Sequence, residues 1–284
     1  MEKRLKKRLL GLIGSYRKAG NSEIVAKAVA RQMGDAWQLS LIRLPKLSVA
    51  PCRGCYACLI PGKTCMIEDD LAWLLEQIKQ ADAVIMAAPN YALGPVGIVK
   101  MISDRVLQAA HYFQVFQHIP TAVVLTLGLE KYNGIAQTAL CVQTASLGLN
   151  VVSVESFVGT HPGEVAMAGD FGEKVGAIAT ALVQPPKENE KQAGPGRCPR
   201  CFSDLFRPHA DGGLECAVCK SRARQNGPDL DFHYFDPEFT KEGQMKHMAW
   251  LLGKKEEYET IKDKLKTIRE NYRDGEWEKP GEKS

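Results

Sequence analysis

Two uninterrupted apolar runs, AVIMAA at residues 83–88 and PTAVVLTL at residues 120–127, constrain this chain more than any other feature. A strand that is apolar on both faces has to be covered on both faces, which is the position of a central strand in a parallel sheet. Residues 8–14, 37–44 and 151–158 read as three further strands. Between the strands the apolar spacing changes to three and four. Ile24, Val25, Ala28, Val29 and Met33 share one face, as do Leu71, Leu74, Leu75 and Ile78. Asn21 and Asp69 stand where N-caps are expected. Further helices are expected over residues 96–110, 135–147 (with Cys141 in the core) and 170–183. This alternation predicts an α/β fold, a doubly wound five-stranded parallel sheet with helices on both faces.

The 284 residues allow one or two domains and a sizeable core. A net charge of +4 is too mild to point to nucleic acid. The basic start (Lys3, Arg4, Lys6, Lys7, Arg8) precedes too short an apolar run for a signal segment or a membrane span, so a cytoplasmic location is expected. Nine cysteines suit a reducing compartment, and eight of them fall into two groups of four.

The first group is Cys52-x2-Cys55-x2-Cys58-x6-Cys65, within the loop 51–66. Four thiols so close suggest metal ligation rather than a disulfide framework. Short CxxCxxC spacings are typical of iron–sulfur ligation by four thiolates. Tetrahedral zinc, another redox use and plain buried cysteines remain alternatives. The second group is Cys198-x2-Cys201 and, fourteen residues on, Cys216-x2-Cys219. Two CxxC knuckles at that distance predict a closed structural zinc site, a ribbon over 197–236 that needs its metal to fold. Arg200, Arg207, Lys220, Arg222 and Arg224 permit nucleic-acid contact without indicating it, and a docking role toward a protein partner fits equally well. A Pro- and Gly-rich linker is expected at 185–196. An aromatic patch at 231–237 is expected to pack the ribbon. Within 237–284, Tyr258, Ile261, Leu265, Ile268 and Tyr272 form one apolar stripe of a charged helix, suited to its own domain or to a second subunit. The last ten residues read as frayed.

Two turns carry binding potential. After the first strand, Gly14-Ser15-Tyr16-Arg17-Lys18-Ala19-Gly20-Asn21-Ser22 leads into a helix. Backbone N–H groups and the helix dipole make such a turn an anion site, and Ser15, Arg17, Asn21 and Ser22 suit a phosphomonoester. Neither GxGxxG nor GxxxxGK[ST] is present. After the run at 83–88 comes Pro89-Asn90-Tyr91-Ala92-Leu93-Gly94-Pro95, which should face the same crevice, because open α/β sheets bind ligands at the carboxyl ends of their strands. The neighbouring pair Asp104-Arg105 reads as a surface or interface ion pair, and His161 as a solvated loop residue.

Gly14-Ser15-x-Arg17 with Asn21-Ser22, followed by Pro89-x-Tyr91, Lys100 and Asp104-Arg105, resembles the NADPH-dependent FMN reductase family of flavodoxin-like proteins. With the four cysteines of the 51–66 loop added, the sequence resembles the iron–sulfur flavoprotein branch of that family. The resemblance covers roughly residues 8–184. It implies that Ser15, Arg17, Asn21 and Ser22 hold the FMN phosphate. Pro89, Asn90, Tyr91, Ala92 and Gly94 would line the isoalloxazine, with Thr126 and Gly128 on the next loop. Cys52, Cys55, Cys58 and Cys65 would carry a [4Fe-4S] cluster, and a homo-oligomer is expected. The activity implied is electron transfer, with flavin and cluster joining one-electron donors such as ferredoxin to two-electron chemistry. Alternatives are an NAD(P)H-dependent FMN or quinone reductase without a cluster, and a redox-responsive module that binds protein or nucleic acid through the ribbon and last helix. No acid–base side chain is required.

Overall fold

The computed structural model describes residues 6–60, 62–187, 191, 193–227 and 229–273. Five parallel strands form the main sheet: β1 (Lys7–Ile13), β2 (Trp37–Arg43), β3 (Ala83–Tyr91), β5 (Pro120–Leu127) and β6 (Asn150–Val158). Their order is β2-β1-β3-β5-β6, and a two-residue strand β4 (Gly94–Pro95) folds back antiparallel on the end of β3. The chain moves outward from β1 in one direction and from β3 in the other, so the crevice lies at the carboxyl ends of β1 and β3. All eight residues of β5 are buried, as a strand covered on both faces must be.

Helices α1 (Asn21–Met33) and α7 (Phe171–Val183) cover one face, where Val25, Val29 and Ile178 pack on Leu9, Ile85 and Val124. On the other face α2 (Leu71–Lys79), α3 (Gly97–Ser103), α4 (Val106–Ala109), α5 (Phe113–Phe116) and α6 (Ala136–Ser146) enclose a second cluster built on Leu10, Val84, Val123 and Leu125. The single helix expected over 96–110 is broken at Asp104 and Arg105, and this break turns Arg105 inward. Asn21 is not the cap of α1. Gly20 holds that position with an extended backbone, while the Asn21 side chain is used elsewhere. The Asp69 carboxylate does serve α2, accepting from Leu71 N–H at 3.1 Å.

The second cysteine group lies in a four-stranded antiparallel sheet of order β10-β9-β8-β7, formed by β7 (Phe206–Pro208), β8 (Leu214–Cys216), β9 (Arg222–Asn226) and β10 (Asp229–Tyr234). It belongs to the same compact unit as the main sheet, Met1–Asp236. Ala193 and Phe202 are buried in the cluster that contains Leu125 and Leu140. Thr138 Oγ1 on α6 donates to Asp204 Oδ1 at 2.6 Å and accepts from Asp204 N–H at 3.2 Å. The other unit, Pro237–Ser284, contains α8 (Lys241–Glu270), capped by Thr240 Oγ1 accepting from Gly243 N–H. Tyr258, Ile261 and Ile268 of its apolar stripe are exposed. The ten residues expected to fray, 275–284, lie outside the described residues.

Candidate functional site

The loop after β1 is the one expected to cradle an anion. Gly14 sits so close to β3 that a Cβ would come within 2.9 Å of Val96 and 3.0 Å of Ala88, and its N–H donates to Ala87 O at 2.8 Å. Ser15 is buried, its Oγ accepting from Arg17 N–H at 3.2 Å. The first-turn N–H groups of α1 have no partners within the helix and face the loop. Arg17 Nη1 donates to Thr160 O at 2.9 Å, joining this loop to the one after β6. Asn21 forms the same junction from inside: Nδ2 donates to Gly159 O at 2.8 Å and Oδ1 accepts from Gly163 N–H at 2.9 Å. Ser22 Oγ lies 3.0 Å from Thr126 Oγ1, both buried, so two residues 104 apart in sequence meet under the cradle. His161 is exposed, with its N–H bound to Glu164.

Two residues of this cradle have no motif to announce them. Arg43, at the end of β2, donates from Nη1 to Ser15 O at 2.8 Å and Arg17 O at 2.7 Å, and from Nη2 to Glu23 at 2.7 Å. Glu23 also accepts from Lys27 at 2.6 Å and from Ala19 N–H at 3.0 Å. The hydrogen bond from Lys27, with those from Arg43 and Ala19, holds the Glu23 carboxyl below its usual value against the opposing effect of burial. Arg43 and Glu23 therefore latch the loop in shape from behind.

The loop after β3 is a tight hairpin whose two turn residues, Ala92 (φ 51°) and Leu93 (φ 64°), are both left-handed. A two-residue turn of this kind usually takes Asn or Gly, so two residues with side chains here store strain. The hairpin is held from one side. Leu93 O accepts from Ile135 N–H at 3.0 Å, and Asn90 Nδ2 donates to Tyr132 O at 2.6 Å. Gly134 has φ 54°, and a Cβ there would lie 2.4 Å from that of Leu93, so only glycine fits. Pro89 ends the paired stretch beside Thr126, and Tyr91 and Leu93 are exposed with Leu129, Tyr132 and Ile135. Gly128 O accepts from Thr160 Oγ1 at 3.4 Å. Asn90 Oδ1 is buried without a partner. An unmet buried acceptor beside an exposed aromatic face fits a planar ligand with N–H donors, and the cradle one strand away fits its phosphate.

The cysteine loop follows β2, at the same end of the sheet. Cys52 and Cys55 are exposed, and Cys58 and Cys65 are half-buried. Gly54 (φ 62°) and Tyr56 (φ 54°) turn the chain between them. Burial first, and then the neighbouring Cys65, Cys55 and Cys52, push the Cys58 thiol up. His111 Nε2 lies 2.9 Å from Cys58 O. The expected surface pair Asp104–Arg105 does not exist as such. Asp104 pairs with Lys100 at the surface, whereas Arg105 is 2% exposed and pairs with Asp69. Arg105 Nη2 donates to Cys65 Sγ at 3.3 Å. Burial alone would raise the Asp69 carboxyl; hydrogen bonds from Ala50 N–H, Leu71 N–H and Arg105 outweigh it and keep the group ionised.

The ribbon presents different chemistry. The sulfurs of Cys198, Cys201, Cys216 and Cys219 all lie within 4.8 Å of one another, with Cys198–Cys219 at 3.4 Å and Cys201–Cys216 at 3.5 Å. Phe202 (φ 59°) and Lys220 (φ 58°) close the two knuckles, with their N–H groups bound to Cys198 O and Cys216 O. Cys219 is drawn down to about 7, chiefly by the hydrogen bond from Cys198 and then that from Cys201. The spacing suits one tetrahedral ion, since zinc–sulfur bonds of about 2.3 Å place the sulfurs roughly 3.8 Å apart. Three of the five basic side chains are engaged locally: Arg200 lies over Phe235, Arg222 over Tyr234, and Lys220 beside Glu215, while Arg207 and Arg224 are exposed. Burial pushes the Cys141 thiol up to about 12, which leaves it as inert core.

The doubly wound sheet, with these two loops at its switch point, is a flavodoxin-like fold. The chain belongs to the NADPH-dependent FMN reductase family, whose model matches residues 7–162. An iron–sulfur flavoprotein of Archaeoglobus fulgidus is 27% identical over 172 residues, 58% of this chain and 77% of the relative. Relatives of that kind form the branch that the sequence resembles. Flavone synthase cfoJ of Aspergillus candidus is 27% identical over 257 residues, 78% of this chain and 79% of its own. A solved flavone reductase superposes with a TM-score of 0.66 at 18% identity, covering 96% of this chain and all of the other. Among the described residues no helix is long and apolar enough to cross a membrane.

Proposed function

We propose that this protein is an electron-transfer flavoprotein that binds FMN in the crevice, a [4Fe-4S] cluster on Cys52, Cys55, Cys58 and Cys65, and zinc in the ribbon. The observation that carries this reading is the place of the cysteine loop. Cysteine loop, cradle and hairpin leave the carboxyl ends of three adjacent strands in the order β2-β1-β3, so the cysteine loop starts from the strand next to the cradle's. Short-range electron exchange between two cofactors needs that proximity.

Ser15, Arg17 and the first-turn amides of α1 would hold the phosphate, with Asn21, Ser22 and Thr126 fixing the walls from behind. Pro89, Asn90, Tyr91, Ala92 and Gly94 would line the ring. FMN supplies two-electron chemistry and can also pass electrons singly; a cluster supplies one-electron chemistry. The donor class is a ferredoxin-like protein or NAD(P)H, and the assembly proposed is a homo-oligomer. The close sulfur tetrad and the engagement of Arg200 and Arg222 with Phe235 and Tyr234 support a structural role for the ribbon.

The test is a visible spectrum with iron, sulfide, zinc and flavin quantitation on anaerobically purified protein. About four irons, one zinc and one FMN per chain are expected. Flavin and zinc without iron or sulfide would overturn the cluster and leave an NAD(P)H-dependent FMN or quinone reductase.

A further inference from the structure

Beneath the cysteine loop lies one buried charge whose hydrogen bonding is incomplete. Arg105 is 2% exposed, and a guanidinium carries five N–H donors and no acceptor. Nη1 serves the Asp69 carboxylate and, at 3.4 Å, Ala50 O. Nη2 donates to Gln108 Oε1 at 2.6 Å and to Cys65 Sγ at 3.3 Å. Nε is buried and has no partner. Desolvating a guanidinium is costly, and an unmet donor adds to the cost. Asp69 balances the charge, but a pairing role alone does not account for a second nitrogen aimed at a sulfur and a third left open.

Both ends of the loop converge on this pair. Asp69 accepts from Ala50 N–H at 2.9 Å, just before Cys52, and it lies four residues beyond Cys65. Arg105 thus closes the loop and directs a donor at one of its sulfurs.

We propose that Arg105 is a positioning residue for the group held by this loop: its Nη2–H donates to the Cys65 sulfur as a thiolate, and its fixed charge favours the reduced, more negative state of that group. The proposal rests on the cluster reading given above. A neutral thiol is a weak acceptor and a thiolate a strong one, so the contact strengthens when the loop is loaded. When one electron enters the cluster, negative charge on its sulfurs grows. A guanidinium does not give up a proton in a protein, so no proton moves and the response is electrostatic. Hydrogen bonds to cluster sulfurs are among the determinants of its potential. Removing this one should move the potential downward.

The test compares full-length wild type, R105K and R105M after anaerobic purification. Iron, sulfide and flavin contents are measured, together with the cluster midpoint in a dithionite titration and the electron paramagnetic resonance spectrum of the reduced state. R105K should keep iron and flavin, with a more negative midpoint and an altered spectrum, because a single-pointed ammonium cannot serve Asp69 and Cys65 together. R105M should bind iron roughly 10–100-fold more weakly, as expected for loss of an outer-shell partner, with flavin content unchanged. A midpoint and spectrum in R105K identical to wild type would overturn the role. The same result together with iron loss in R105M overturns it too, since that describes a loop clip and nothing more. Wild-type protein holding flavin but neither iron nor sulfide overturns the ligand reading itself, and this role with it.

Discussion

In the ribbon, four sulfurs lie within 4.8 Å of one another on two knuckles whose backbone conformations are fixed by Phe202 and Lys220, and three of the four cysteines are buried. In the loop after β2, two of four cysteines are exposed, and no second metal-sized group forms among the described residues. The same residue type at similar local spacing therefore stands in two different settings. A closed, buried tetrad matches one small ion and exchanges nothing with its surroundings. An open tetrad suits the larger group proposed above, whose thiolates would bind different irons and so stand further apart. The contrast teaches that CxxC spacing identifies a thiolate site, whereas the protein around it decides between holding a fold and doing chemistry.

The contrast can be broken most forcefully at the ribbon. Cys216→Ala should abolish metal binding there and unfold residues 197–236, an effect on the order of 10 kcal/mol in apparent metal-binding energy. Zinc content and amide exchange report it, and retained zinc with retained protection would mean the site is not closed. Next in size is Phe202→Ala, which should cost about 3–5 kcal/mol in denaturant unfolding, since the ring is fully buried in the main core. A loss under about 1 kcal/mol would show that the ribbon does not brace the sheet.

Glu23→Gln should cost about 2 kcal/mol, because it leaves Arg43 and Lys27 without their carboxylate. The pH dependence has a definite sign. The Glu23 carboxyl is held below its ordinary 4.5, so its contribution is full above that value and disappears as pH falls through the lower folded value. Urea midpoints taken from pH 6 downward should therefore converge for wild type and E23Q; parallel curves would refute the latch. The smallest stability effect belongs to the open tetrad. Cys55→Ala should change the stability of the iron-free protein by no more than about 0.5 kcal/mol, because the residue is exposed, yet abolish iron and sulfide binding and leave flavin. Retained iron would sink the ligand assignment.

The strands were legible because burial on both faces writes itself as a continuous apolar run: the expected 120–127 is β5 residue for residue, and 83–88 lies within β3. Their parallel order followed from alternation. The metal-sized group of the ribbon was legible because its chemistry is local, two CxxC knuckles fourteen residues apart. Arg43 and Glu23 were not legible, since each is an ordinary charged residue whose meaning depends on a contact 20 positions away. Arg105 was misread for a related reason. Adjacent Asp and Arg suggest a pair, but the helix breaks between α3 and α4, sending one side chain to Lys100 and the other under the cysteine loop. Asn21 has the composition of a cap, yet its amide is used instead to tie the start of α1 to Gly159 and Gly163 of the loop after β6. The left-handed pair Ala92-Leu93 lacks the Asn or Gly that would have signalled a tight hairpin.

The seat of Phe202 has a bearing on inheritance. Its ring shares a cluster with Leu125 of β5 and Leu140 of α6, while Thr138 on that helix binds Asp204 from the knuckle. The same helix begins one residue after Ile135, whose N–H holds Leu93 in the flavin-side hairpin. A lineage could not gain or shed the ribbon as a cassette without recutting α6, and with it the wall of the crevice. Ribbon and crevice are thus expected to change together, so that relatives lacking the ribbon should carry a larger or more polar-compatible residue pattern on α6, and grafting experiments should succeed only when both are moved.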